Sequence, residues 1–186
     1  MLTKQNNLRA AIEAAQMVKI KKNDGEDYNF KLYAFGERGT FIEPELITEI
    51  TENLAQSITE EFSNFDYLVS PEPGGHTWGM LAAYRLNKPI NILRLSTQDN
   101  QTAADSIKRE TAYNENYISF AGFKSGDRVL LVDDVISSGG TIYAIVPQLR
   151  NLGVEIAGIQ VILVKGEHYK KMKSDLSVPI KYLAKI

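Results

Sequence analysis

The chain has 186 residues, 44% of them apolar, with 21 basic and 23 acidic side chains for a formal net charge of −2, which fits one soluble domain and argues against a dedicated duplex-binding surface. It carries no cysteine and only two histidines, His76 and His168, so disulfides, thiolate or polyhistidine metal sites, iron–sulfur clusters and a cysteine nucleophile are excluded. No run reaches the roughly 18 apolar residues that span a bilayer, and the polar-rich start lacks the apolar core of a signal peptide, so a cytoplasmic protein with no membrane contact is expected.

The first predicted element is an amphipathic helix over Leu2–Val18, with Leu8, Ile12 and Ala15 at helical spacing. A polar turn over Lys21–Asp27 follows. Tyr28, Phe30, Leu32 and Ala34 then alternate with polar residues, as in a half-buried strand. Pro44 suits the first turn of a helix running to about Phe62, whose buried stripe is Leu46, Ile47, Ile50, Leu54 and Ile58.

From Phe65 onward short apolar runs alternate with helical stretches. Strands are predicted at Tyr67–Val69, Ile90–Leu93, Val129–Val132, Ile156–Val164 and Ile180–Ala184. Helices are predicted at Trp78–Leu86, Thr141–Leu152 and Glu167–Lys173. Such alternation, with near-continuous apolar strands, implies an α/β fold: a parallel sheet covered by helices on both faces. Ligands in such sheets sit beyond the carboxyl ends of the strands, so the loops after Val69, Leu93 and Val132 are the ones to inspect. The stretch Ser96–Ala112 has no apolar side chain larger than alanine except Ile107, and reads as a long functional loop.

The most informative segment is Arg128 to Thr141. Four apolar residues form a buried strand, Asp133 and Asp134 stand at its carboxyl end, and Val135, Ile136, Ser137, Ser138, Gly139, Gly140 and Thr141 lead into a helix. Amides in the loop and at the helix start can converge on an anion, and the hydroxyls add donors. Glycine lets the backbone approach closely. Ionised aspartates only accept hydrogen bonds, so the pair suits a sugar diol or a magnesium ion held partly through water. A plain helix cap after a strand needs one such residue, whereas this segment holds two acids, three hydroxyls and two glycines. Neither the dinucleotide-binding glycine pattern nor a P-loop is present.

Asp133 to Thr141 resembles the phosphoribosyl-pyrophosphate signature of type I phosphoribosyltransferases, and weaker similarity from about Tyr28 to Gly166 looks closest to the adenine (purine) enzymes. The resemblance implies a single domain over 1–186. Residues 1–43 and 165–186 would contribute a hood and peripheral elements, and residues 96–112 a mobile lid. It implies that Asp133 and Asp134 hold the ribose diol and Mg2+, that Ser137–Thr141 cradle the 5′-phosphate, and that Val135 and Ile136 belong to the same phosphate–ribose segment. It further implies a homodimer that displaces pyrophosphate from phosphoribosyl pyrophosphate with a purine base, without membrane or nucleic-acid partners. Glu72, Pro73, Gly74 and Gly75 occupy the loop that contacts pyrophosphate in this family. Glu72 and Gly75 match the Glu-x-Arg-Gly pattern of bacterial adenine enzymes, but Gly74 stands at the arginine position. The family's Arg-Lys pair after the next strand is Arg94-Leu95 here. Lys108 and Arg109 could supply the missing charge from the lid; a solvated charge cluster is the alternative. His76 reads as a phosphate donor or a solvated loop residue.

Ser137 lies where hypoxanthine–guanine enzymes of the human type have an aspartate, so the resemblance favours adenine or, alternatively, orotate as acceptor. Base-contact candidates are Tyr33, Phe35, Arg38 and Phe41, for each of which core packing is the favoured alternative, and Lys165 in Lys165-Gly166-Glu167, which could equally cap a helix. With two expected cations absent, a non-catalytic phosphoribosyl-pyrophosphate or nucleotide sensor on the same fold is a second reading. An RNA-binding regulator is a third, which the balanced charge disfavours.

Overall fold

Five of the predicted apolar runs form one parallel sheet. A computed structural model describes residues 6–21, 27–36, 41–96, 106–111 and 114–186. In chain order the elements are α1 (Asn6–Glu13), β1 (Gln16–Lys21), β2 (Asp27–Leu32), α2 (Pro44–Glu61), β3 (Tyr67–Pro71), α3 (Gly75–Leu86), β4 (Ile90–Leu93), β5 (Leu95–Ser96), β6 (Ser106–Thr111), β7 (Asn114–Ser119), β8 (Arg128–Ile136), α4 (Gly140–Asn151), β9 (Glu155–Val164), α5 (His168–Leu176) and β10 (Ile180–Lys185). The main sheet has the order β10-β9-β8-β3-β4, and every ladder in it is parallel. β1 and β2 form a separate antiparallel hairpin, and β5-β7-β6 a third small sheet.

The α/β architecture predicted from the alternation is the one observed. Side chains of β8 alternate between two apolar clusters, as a strand buried on both faces requires. Leu130 and Val132 face Leu54 and Ile58 of α2, Trp78 of α3 and Leu8 of α1. Val129 and Leu131 face Ile142, Ile145 and Leu149 of α4 and Met172 of α5. Pro44 opens α2, and of its predicted stripe Leu46, Ile50, Leu54 and Ile58 are buried, whereas Ile47 is only half-buried.

Several elements differ in extent from expectation. α1 ends at Glu13, and residues 16–21 form β1 instead of continuing the helix. α3 begins at Gly75, a turn earlier than its apolar residues indicate. β8 continues through the acids to Ile136, because Asp133, Val135 and Ile136 still pair with Val161, Leu163 and Val164 of β9. Part of the predicted loop, residues 106–111, is strand β6, paired antiparallel with β7. Residues 97–105 and 112 of that loop lie outside the described residues.

The strand order positions the site. From β3 the chain winds through α3 to β4 on one side, whereas from β8 it winds through α4, β9 and α5 to β10 on the other. The switch point lies between β3 and β8, where a crevice opens beyond the carboxyl ends of the strands. The loop 72–74, the end of β8 and the start of α4 all lie at that edge.

Candidate active site

The turn after β8 is shaped by glycine. Gly139 has φ +83°, in the left-handed region that disfavours a side chain, and a Cβ there would overlap the terminal methyl of Met172. α4 begins immediately after, and its N-cap, Gly139, has no side chain to cap the first turn. Ser137 and Ser138 are exposed and Thr141 is half-buried at this mouth. A helix start with glycine at its N-cap, rimmed by hydroxyls, suits a phosphate. Behind it, Tyr143 Oη donates to Asp175 Oδ2 at 2.8 Å, tying α4 to α5. The Val135 side chain is partly buried and that of Ile136 is core, so these two residues offer the site only their backbone.

Asp133 and Asp134 are 6% and 8% exposed at the end of β8. The Asp134 amide donates to Asp133 Oδ1 at 2.9 Å, and the Val135 amide donates to Asp134 Oδ1 at 2.7 Å. Each carboxylate also leans on a glycine of the loop after β3. A Cβ on Gly75 would stand 2.7 Å from Asp133 Oδ1, and a Cβ on Gly74 would overlap Asp134 Oδ2. The predicted phosphate–ribose segment and pyrophosphate loop are therefore in contact across the switch point.

Glu72 follows β3 directly and Arg94 follows β4. Pro71 and Leu93 are register partners, so the two charges meet side by side and the Arg94 guanidinium donates to Glu72 Oε1. Sequence reasoning named both residues and missed this pairing. The available signal was that each is the first residue beyond its own strand. Pro73 is exposed, and its carbonyl accepts from His76 Nδ1 at 2.6 Å, which requires the proton to sit on that nitrogen. The backbones of Lys108 and Arg109 lie in β6, opposite Tyr117 and Asn116; their side chains lie outside what the structure describes.

The N-terminal hairpin closes the other side. Trp78 Nε1 of α3 donates to the Phe35 carbonyl at 2.7 Å, holding residues 33–36 against the sheet. Tyr33 and Phe35 stack at 5.3 Å and are 2% and 1% exposed, so both pack in the core, the alternative considered for them from sequence. The Tyr33 hydroxyl is nevertheless buried without a hydrogen-bond partner among the described residues. Burial raises its pKa. Phe41 is 93% exposed and Arg38 lies outside the described residues.

Lys165, immediately after β9, reaches the same region. Its Nζ lies 4.8 Å from the Tyr33 ring centroid and 5.8 Å from that of Phe30. Burial holds its ammonium below the ordinary lysine value; Asp134 opposes that shift and Lys31 adds to it. Glu167 provides no side-chain cap to α5 and instead pairs with Lys170 and Lys185. Gly36, which no sequence pattern singled out, lies beside Asp134: a Cβ there would come to ordinary contact, 3.6 Å, with Oδ2.

Comparison with known proteins agrees with this geometry. A family model described as "Phosphoribosyl transferase domain" matches residues 41–181. A hypoxanthine/guanine phosphoribosyltransferase of Methanohalobium evestigatum is 30% identical over 167 residues, covering 90% of this chain and 84% of the relative. One from Methanotorris igneus is 29% identical over 160 residues, covering 86% of each. Among solved structures, adenine phosphoribosyltransferase from Thermoanaerobacter pseudethanolicus superimposes with a TM-score of 0.69 at 24% identity, covering 97% of this chain and 100% of that one. The parallel sheet flanked by helices is that fold, and with the family model spanning the sheet and both loops of the crevice, the chain belongs to the phosphoribosyltransferase family.

Proposed function

We propose that this protein transfers the 5-phosphoribosyl group of phosphoribosyl pyrophosphate to a purine base, releasing pyrophosphate. The observation that carries this reading is the convergence at the switch point of two buried acids with a helix whose N-cap is glycine. In this reading the amides of α4 and the hydroxyls of Ser137, Ser138 and Thr141 bind the 5′-phosphate. Charge-assisted hydrogen bonds of that kind contribute about 1.5–3 kcal/mol each. Asp133 and Asp134 accept from the ribose hydroxyls. The bond from the anomeric carbon to pyrophosphate breaks as a ring nitrogen of the base forms its own bond there and gives up its proton. Negative charge grows on the departing pyrophosphate, and Arg94 and the loop 72–75, at the carboxyl edge of β3 and β4, are the groups we assign to receive it.

The same acids suit Mg2+. They offer oxygen donors only, as that ion prefers, and it commonly takes one or two carboxylates with substrate phosphate oxygens and water. Among the described residues no group of three or more acids and histidines is arranged to hold a metal unaided, so pyrophosphate oxygens and water would complete its shell. The ion would supply charge neutralisation to the leaving group.

For the base, Lys165 supports an acceptor with a 6-oxo group, such as hypoxanthine or guanine. An ammonium only donates hydrogen bonds, which matches a carbonyl and opposes the amino group of adenine. The hypoxanthine/guanine relatives point the same way, whereas Ser137 favours adenine. A second reading, a sensor that binds without turnover, draws on Gly74 and on the pairing of Arg94 with Glu72.

The test measures Mg2+-dependent pyrophosphate release with adenine, hypoxanthine, guanine, xanthine and orotate, alongside calorimetric binding of phosphoribosyl pyrophosphate. Release with a 6-oxopurine is expected. Release with adenine alone overturns the role given to Lys165. Binding without release on any base establishes the sensor, and no binding overturns the whole reading.

A further inference from the structure

Gly139 is glycine for two reasons, a positive φ and a crowded neighbour; Gly74 has only the second. Its φ of −78° and ψ of −47° are ordinary right-handed values open to any residue. Backbone conformation therefore gives no reason for glycine at this position, and space does. A Cβ on Gly74 would stand 2.5 Å from Asp134 Cγ and 2.7 Å from Oδ1, and would overlap Oδ2, so the whole carboxylate lies flat on bare main chain. Asp134 has little freedom to move away. It is 8% exposed, and the Val135 amide holds Oδ1 at 2.7 Å.

We infer that Gly74 is a positioning residue: the volume of its missing side chain is the place where the Asp134 carboxylate stands, so the two positions form one coupled feature. The arginine that the resemblance leads one to expect at 74 is thus not a cation that could simply be put back. Any side chain at 74 and Asp134 in its present orientation exclude each other. In this chain the pyrophosphate loop has given up a charge, and the acid of β8 fills the space against the loop's backbone. The kinetic part of this inference rests on the function proposed above; the steric part does not.

A mutant cycle separates the two. Gly74→Ala, Asp134→Ala and the double variant are compared by thermal unfolding without ligand. One added methyl in a filled contact is expected to lower the midpoint by about 3–10 °C. In the Asp134→Ala background, where the obstructing atoms are gone, the same change should shift it by less than about 1 °C. In the kinetic arm, Gly74→Ala raises KM for phosphoribosyl pyrophosphate about tenfold and lowers kcat by less, the cost of a misplaced binding carboxylate. Gly74→Arg shows no gain in kcat. A crystal structure of Gly74→Ala tests the contact directly, without the double variant: a displaced Asp134 carboxylate is expected.

Equal midpoint shifts in both backgrounds, an unmoved carboxylate, or a Gly74→Arg protein more active than the parent overturns the inference. Should the parent release no pyrophosphate while the thermal cycle still shows coupling, the functional reading fails and the steric one stands. An active parent with a flat cycle gives the reverse.

Discussion

Glu72 and Arg94 set the charge at the mouth of the crevice. Arg94 is the cation that the sequence nominates for pyrophosphate, yet its guanidinium is engaged by a carboxylate of the neighbouring loop. The arginine side chain is 65% exposed and the glutamate 20%, so water screens the pair from the arginine side and keeps it exchangeable. Exposed pairs typically contribute about 0–1 kcal/mol, which limits the consequence of releasing Arg94 to roughly fivefold in affinity. Glu72→Gln is accordingly expected to tighten phosphoribosyl pyrophosphate by up to that factor, read by calorimetry at low salt, and Arg94→Ala to weaken it. Weaker binding in Glu72→Gln would show instead that the carboxylate itself helps to hold the ligand.

At the scale of elements, what could be read from sequence followed burial. β8, β9, α2 and α4 bury apolar residues at strand or helix spacing, and their centres were legible. The ends were not. Asp133 and Asp134 look like the end of a strand by polarity, although their backbones remain in the ladder with β9. Gly74 and Gly75 look like a turn, although the helix already begins there on ordinary dihedrals. Met17 and Val18 of β1 fall inside the predicted helix Leu2–Val18, because a short β run after a helix carries no period of its own. β6 and β7 escaped because backbone pairing holds them and their sequences, SIKRET and NENYIS, carry little apolar pattern. In the site, the acids, glycines and hydroxyls were legible as residue types. Their mutual contacts depend on β3 and β8 being neighbours, which no local pattern encodes.

The link between α5 and β10 is another feature invisible to local pattern, and it gives a pH-dependent prediction. Glu167 lies before α5 and pairs with Lys170 one turn on and with Lys185 at the end of β10. The hydrogen bonds from those two ammonium groups bring its carboxyl down to about 2 from an ordinary 4.5. A depressed carboxylate adds stability that is fully present above its unfolded value and is lost as pH falls through the folded one. Glu167→Gln should therefore be less stable than the parent at pH 7. The difference should shrink between about pH 4.5 and 2, and shrink further in high salt because these groups are solvated. Urea midpoints measured across that range check it; a gap that widens on acidification would contradict the assignment.

Across the whole molecule, the parallel sheet separates two poles with different work. The carboxyl pole carries the crevice, where buried acids and an open helix start are held at some cost to stability. The amino pole carries ties that face no ligand-binding loop. Tyr67 at the start of β3 donates to Asp127 Oδ2 at 2.6 Å, and the Lys124 amide donates to the same oxygen at 2.8 Å. Arg128, opening β8, donates its amide to Asp66 at 2.8 Å and its guanidinium to the Ser63 carbonyl at 2.9 Å. The Tyr67 hydroxyl lowers the carboxyl pKa of Asp127, and burial together with Asp127 raises that of the phenol. β3 spans Tyr67–Pro71, so at about 3.3 Å per residue these ties lie roughly 13 Å from the crevice, with rigid strand between. Tyr67→Phe removes the donor and keeps the ring, which stays packed near Phe123 at 6.2 Å. It should lower the urea midpoint with an unchanged slope, because stability falls while the surface exposed on unfolding stays the same. KM and kcat for the proposed transfer should both match the parent. A Tyr67→Phe protein of parental stability but altered KM would mean that the two poles are coupled through β3, and that the division of labour drawn from the sheet is wrong.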